Sequence, residues 1–173
     1  MQIRLSGTVK ESVVDGPGIR MVIFTQGCPH LCVGCHNPQT HSFEDGEKHD
    51  TTAIIDEYWR HRYLHGLTIS GGEPFSQAEA CAELATACRA ADRNIITYTG
   101  YTWEDLLHMS ESNPAVRKLL INTDILVDGR FVESQKNLDL PFRGSENQRV
   151  IDVAASLSSA APVTIKWGRE AYF

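Results

Sequence analysis

Three cysteines, Cys28, Cys32 and Cys35, fall within the ten residues Cys28-Pro29-His30-Leu31-Cys32-Val33-Gly34-Cys35-His36-Asn37, spaced C-x3-C-x2-C. Thiolate is a soft ligand that suits iron–sulfur clusters, copper(I) and zinc. A [4Fe–4S] cluster normally takes four cysteines, so a loop that offers three would leave one iron open to a small molecule. His30 or His36 could instead complete a Cys3His set, which four-coordinate zinc accepts. Spacing alone leaves both metals open. Pro29 and Gly34 interrupt regular structure and predict a loop, which argues against three unrelated core cysteines.

A second stretch, Gly71-Gly72-Glu73-Pro74, offers a different chemistry. Paired glycines let a backbone approach a ligand closely and leave its carbonyl and N–H groups available. Read by itself, the stretch is a glycine-rich turn between a strand and a helix. The two remaining cysteines, Cys81 and Cys88, form an i, i+3, i+4, i+7 stripe with Leu84 and Ala85. That spacing predicts small apolar residues on the core face of a helix, not further ligands.

The elements that must position these groups alternate along the chain. Ile3–Val9 reads as a short strand, and Asp15-Gly16-Pro17-Gly18 as a tight turn. Met21–Gly27 reads as a buried strand that runs directly into the cysteine loop. Asn37–Asp50 is polar and reads as a surface loop. Thr51 and Thr52 are expected to cap a helix to about His65, with Gly66 as its stop. Leu67–Ser70 is the next strand and ends at the paired glycines. Ser76 and Glu79 suggest a capping box for a helix to Ala91. Asn94–Gly100 is a third strand, Thr102 caps a short helix through Leu107, and a further helix follows Pro114 to Leu119. Asp124–Gly129 is a fourth strand and turn, and Val163–Trp167 a last one. This alternation predicts an α/β fold with parallel strands, in which active sites gather at the C-terminal ends of the strands. Both candidate stretches follow such ends. With 173 residues the chain is too short for a full eight-strand barrel, which takes about 250. It is expected to form one domain over residues 1–173.

Composition narrows the partners. A formal net charge of −6 argues against a nucleic-acid backbone. No apolar run is long enough to span a membrane, and the first residues lack the apolar core of a signal peptide. Five cysteines, three of them crowded together, make a poor disulfide framework and point to a reducing, cytoplasmic setting.

The cysteine loop and the GGEP stretch together resemble the radical S-adenosylmethionine (SAM) enzymes. Asp15-Gly16-Pro17-Gly18-Ile19-Arg20 and Cys35-His36-Asn37-Pro38 are similar to the glycyl-radical-enzyme activases within that superfamily. Thr99-Gly100-Tyr101, Leu126-Val127-Asp128-Gly129-Arg130-Phe131 and Arg143-Gly144-Ser145-Glu146-Asn147-Gln148 resemble segments of the anaerobic ribonucleoside-triphosphate reductase-activating branch. The resemblance implies an incomplete β/α barrel with the cluster at the strand C-termini. It implies a [4Fe–4S] cluster on Cys28, Cys32 and Cys35, and SAM bound by Gly34, Cys35 and His36 on its adenine side and by Gly71, Gly72 and Glu73 on its methionine side. Position 34 is often aromatic in the superfamily. Gly34 fits the reductase-activating branch, and adenine would then rest on backbone. The implied reaction is reductive cleavage of SAM to a 5′-deoxyadenosyl radical, which takes a hydrogen atom from a glycine of the anaerobic ribonucleoside-triphosphate reductase. A flavodoxin or ferredoxin would supply the electron. No conventional acid–base residue is required. A pyruvate formate-lyase type of activase, or an iron–sulfur or zinc module without enzymatic activity, are the alternative readings.

Overall fold

The computed structural model describes residues 1–90 and 92–167. Eight strands form one sheet in the order β3-β1-β2-β4-β5-β6-β7-β8. These are β1 (Gln2–Ser12), β2 (Arg20–Thr25), β3 (Glu47–Asp50), β4 (Gly66–Gly71), β5 (Asn94–Tyr98), β6 (Ile125–Asp128), β7 (Arg149–Asp152) and β8 (Val163–Thr164). The four central strands, β2, β4, β5 and β6, are parallel. Their flanks are antiparallel: β1 pairs with β2 and β3, and β7 with β6 and β8. The fold is therefore mixed α/β, with the expected parallel strands confined to its middle.

Parallel neighbours need crossover connections, and the helices supply them. Helix α1 (Thr51–Arg60) lies between β2 and β4, α2 (Ala78–Cys88) between β4 and β5, and α3 (Trp103–Ser112) with α4 (Pro114–Asn122) between β5 and β6; α5 (Val153–Leu157) follows β7. The helices bury their apolar stripes against one face of the sheet, in a core that includes Ile23, Leu67, Ile69, Ile95 and Leu126 with Leu84, Leu106 and Leu119. A smaller cluster, Ile96, Val127 and Val150, lies apart from it. Because β2 is covered on both faces, it reads as the unbroken run Met21-Val22-Ile23 and not as an alternation.

Several expected boundaries shift for identifiable reasons. The polar stretch before α1 contains a 3-10 turn (Pro38–Thr40) and the edge strand β3. Its pairing is decided by the open edge of β1, where Gln2–Leu5 meet Glu47–Asp50, and not by any apolar pattern. Asp50, not a threonine, caps α1 by accepting from Thr52 N. Thr51 is occupied elsewhere, bound to the amino terminus and to Glu83. The helix ends at Arg60, and Gly66 begins β4 instead of stopping a helix. The expected Ser76–Glu79 capping box does not form. Residues Pro74–Gln77 make a 3-10 turn, and the Gln77 amide bridges Arg4 and Gln26. The helix that follows ends at Cys88; Ala91, its expected end, lies outside the described residues. Thr102 does cap α3, in a reciprocal box with Asp105. Cys81 and Cys88 are buried on α2 as expected. Among the described residues no helix is long and apolar enough to cross a membrane.

Candidate active site

All four parallel strands deliver a chemistry-bearing segment to the same place. A cavity of about 630 Å³ opens beyond their C-terminal ends. Its wall carries Cys28, Cys32 and Cys35 after β2, Gly71 and Gly72 at the end of β4, Thr99 and Gly100 after β5, and Gly129 to Phe131 after β6. The three thiols are half-exposed and unbridged, whereas Cys81 and Cys88 are buried away from it. Burial pushes the Cys28 thiol above its ordinary range; the N–H groups of His30 and Leu31 act in the opposite direction, and the Glu73 charge raises it further. The Asn37 amide donates to Cys35 Sγ at 3.4 Å. Such N–H donors favour a thiolate, and a bound metal removes the proton outright.

This donor set fits an iron–sulfur cluster. Among the described residues no three Cys, His, Asp or Glu side chains gather around a point that one metal ion could occupy. Three soft thiolates on one wall suit an iron–sulfur cluster. His30 is not free to ligate a metal through Nε2. His30 Nε2 is engaged 2.7 Å from Glu73 Oε2, and His36 packs against Phe131 with ring centroids 4.9 Å apart.

The paired glycines are required first by the fold. A Cβ on Gly72 would stand 2.4 Å from the Gly27 carbonyl oxygen, and one on Gly71 2.4 Å from Thr25 N. Two hydrogen bonds of 2.8 Å, Gly72 N to Thr25 O and Glu73 N to Gly27 O, fasten the stretch to the residues that lead into Cys28. The close backbone approach expected with a ligand is thus made already with the base of the cysteine loop. Gly71 and Gly72 line the cavity, but the Glu73 carboxylate lies behind its wall, fully buried. It accepts from Thr99 Oγ1 (2.9 and 3.0 Å), Gly100 N (2.9 Å) and Phe75 N (3.0 Å) and contacts His30. These partners use its acceptor capacity, so any ligand contact at position 73 would be through backbone.

The chain is similar to several known proteins. Residues 14–151 match the family model described as a 4Fe-4S single cluster domain. The anaerobic ribonucleoside-triphosphate reductase-activating protein of Vibrio cholerae is 35% identical over 79% of this chain and 89% of its own. The protein of that name from Enterobacteria phage T4 is 32% identical over 79% and 86%. The pyruvate formate-lyase-activating enzyme of Listeria monocytogenes is 34% identical over 82% of this chain, but the match spans 58% of that enzyme. The chain belongs to the anaerobic ribonucleoside-triphosphate reductase-activating protein family.

In this member of the family, the three segments that single out the branch are bound into the fold. Thr99 and Gly100 hold Glu73. Asp128 is buried and accepts from Trp103 N at 2.7 Å and Arg149 Nε at 3.0 Å. Phe131 lies where Gly34 has φ +72°, and a Cβ at Gly34 would meet its ring at 3.2 Å. An aromatic ring is therefore present beside position 34, supplied from the loop after β6. Gln148 staples the last segment, accepting from Gly144 N (2.9 Å) and Ser145 N (3.1 Å) and donating to Gly129 O (3.0 Å). Arg143 donates to Gln148 O, and Arg149 pairs with Asp128 and Glu104. Both arginines thus have partners within the chain. Sequence reasoning offered His30 only as a possible zinc ligand and Phe131 only as the end of a branch segment, and foresaw neither the His30–Glu73 contact nor the Phe131 ring beside Gly34. The signal for each was present only as a residue type beside a motif, with nothing local to name its partner.

Proposed function

We propose that this chain generates the glycyl radical of an anaerobic ribonucleoside-triphosphate reductase by reductive cleavage of SAM at a [4Fe–4S] cluster held by Cys28, Cys32 and Cys35. The observation that carries the reading is the convergence of three free thiols and the paired glycines on one cavity at the ends of β2, β4, β5 and β6. When bound, the reduced cluster supplies the electron that cleaves SAM to methionine and a 5′-deoxyadenosyl radical, which abstracts hydrogen from the partner's glycine. The protein's own residues orient SAM and limit competing reactions. Gly71 and Gly72, with the backbone of Glu73, would meet the methionine end. Gly34, Cys35 and His36 would line the adenine side, with Phe131 against them. The four parallel strands and their helices act as an incomplete β/α barrel, whose open mouth lets a loop of the reductase reach the cavity. A flavodoxin or ferredoxin delivers the electron, and no side chain is needed as a general acid or base.

The test mixes anaerobically reconstituted, reduced protein with SAM and the reductase, and follows methionine release together with the glycyl-radical doublet in electron paramagnetic resonance. Both are expected. Methionine release with a doublet on pyruvate formate-lyase and none on the reductase would move the chain to the other activase. No SAM cleavage by iron-loaded protein would remove the enzymatic reading.

A further inference from the structure

His30 lies inside the cysteine loop, between two of the thiols, yet its side chain is only 3% exposed and points away from solvent into the Glu73 pocket. Its Nε2 lies 2.7 Å from Glu73 Oε2. Glu73 is itself fixed by Thr99, Gly100 and Phe75. The seat is shaped for the ring. A Cβ at Gly100 would lie 2.2 Å from His30 Cδ2, and Tyr101 closes the other side edge-on, with centroids 4.6 Å apart at 76°.

The residue after His30 shows what this anchoring holds. Leu31 has φ +49°, a left-handed conformation that a leucine adopts only where its surroundings over-determine it. Its side chain is 63% exposed, so packing of Leu31 itself does not impose that turn. The fixed neighbour is His30. The turn lies between Cys28 and Cys32, so it sets the course of the chain from one thiol to the next.

We infer that His30 is a positioning residue: clamped by Glu73 and seated over Gly100, it holds the strained turn at Leu31 that presents Cys28 and Cys32 to the cluster. The cysteine loop, the GGEP stretch and the Thr99-Gly100-Tyr101 segment are then one device, in which the second and third preform the first before any iron arrives. The inference rests on the reading that the loop carries an iron–sulfur cluster, and it adds a residue that is neither one of the proposed thiolate ligands nor one of the proposed SAM contacts.

The experiment compares wild type, His30→Ala, His30→Gln and Gly100→Ala. In the metal-free proteins, hydrogen exchange is measured on amides 28–36. After reconstitution, iron loss to a chelator and the midpoint potential of the cluster are measured. Partners that orient metal ligands typically contribute roughly 10–100-fold to metal affinity, so His30→Ala is expected to lose iron at least roughly tenfold faster and to show faster amide exchange in the loop. Hydrogen bonding around the sulfurs sets cluster potential, so the potential shifts as well. His30→Gln, whose side-chain amide can take the place of Nε2 beside Glu73, restores most of all three. Gly100→Ala evicts the ring without altering the loop's sequence and reproduces His30→Ala, which keeps the inference testable if the alanine variant folds poorly. Wild-type exchange, iron retention and potential in both His30→Ala and Gly100→Ala would overturn it while leaving the cluster reading intact. A wild-type protein that takes up no cluster would overturn both.

Discussion

The two ends of the parallel strands are built by opposite means. At the N-terminal ends, Arg20 is fully buried and fills the gap between β2, β4 and β5. Its guanidinium donates to Thr68 Oγ1 (2.8 Å), Asn94 Oδ1 (2.7 Å), Leu67 O (2.9 Å) and Asn94 O (2.9 Å). Burial lowers its pKa to about 10, still well above neutrality. One charged side chain satisfies two strand carbonyls and the Thr68 and Asn94 side chains. At the C-terminal ends, backbone is satisfied by backbone and by the buried Glu73, the side chains shrink to glycine, and a cavity remains. Both ends carry segments that resemble activase motifs. The difference teaches that a motif residue can serve the sheet and not the cavity: Arg20 fills one end, and the cysteine loop lines the cavity at the other.

The comparison breaks most sharply on the cysteines. Cys32→Ala is expected to abolish cluster formation, read as iron and sulfide after anaerobic reconstitution. Cys81→Ala is expected to keep the full cluster and cost about 1 kcal/mol of stability, the scale of one small buried group. Equal loss of cluster in both variants would show that the buried helix takes part in ligation.

Gly72→Ala comes next. The new Cβ would stand 2.4 Å from Gly27 O and 3.1 Å from Thr25 O, both backbone atoms that cannot swing aside. The expected result is a displaced cysteine loop and several-fold lower iron per folded protein. SAM binding is lost as a consequence. Full iron loading with SAM affinity alone reduced would assign the glycine to the ligand in place of the loop.

Arg20→Met sharpens the opposite end. It leaves several buried acceptors without donors, at about 1–3 kcal/mol for each that stays dry. Relief from burying a charge offsets part of that cost. A net loss of roughly 3 kcal/mol corresponds to a melting temperature lower by roughly 6–12 °C for a chain of this size. Iron bound per folded molecule should stay at the wild-type level. A loss of cluster without a loss of stability would tie the two ends together functionally.

How much of this was legible in the sequence follows from where each interaction is decided. The apolar runs of β2, β4, β5 and β6 and the stripe on α2 are local, and they place both candidate stretches at strand exits correctly. The Thr102 cap is local too, since its partner Asp105 lies three residues on. What escaped is long-range. The polar strand β3 exists because β1 has a free edge 45 residues away in the register Gln2 with Asp50 to Leu5 with Glu47. Strand β7 is four residues long, too short for a pattern of its own, and is set by pairing with β6 and β8. Glu73 looks like a ligand beside two glycines, and only the fold brings His30, Thr99 and Gly100 around its carboxylate. Phe131 reaches Gly34 from a loop about a hundred residues later.

The smallest expected effect lies on the outer wall of the open end, where Arg149 joins the buried Asp128 to Glu104 on α3. The Arg149 hydrogen bonds, more than any other cause, hold the Glu104 carboxyl below its usual range near 4.5. A carboxyl whose folded-state pKa is depressed contributes stability above its ordinary pKa and loses it as pH falls through the folded value. The Glu104 side chain is 58% exposed, so solvent screens the pair and its worth is about half a kcal/mol. Glu104→Gln should therefore melt slightly below wild type at pH 7, and the gap should close below about pH 4. The measurement uses metal-free protein, so that acid loss of the cluster does not enter. Asp128 anchors the same arginine from a buried site, so Asp128→Asn is expected to lower the melting temperature by more than Glu104→Gln at neutral pH. A gap for Glu104→Gln that persists unchanged to pH 3 would mean that the position acts through helix packing and not through its charge.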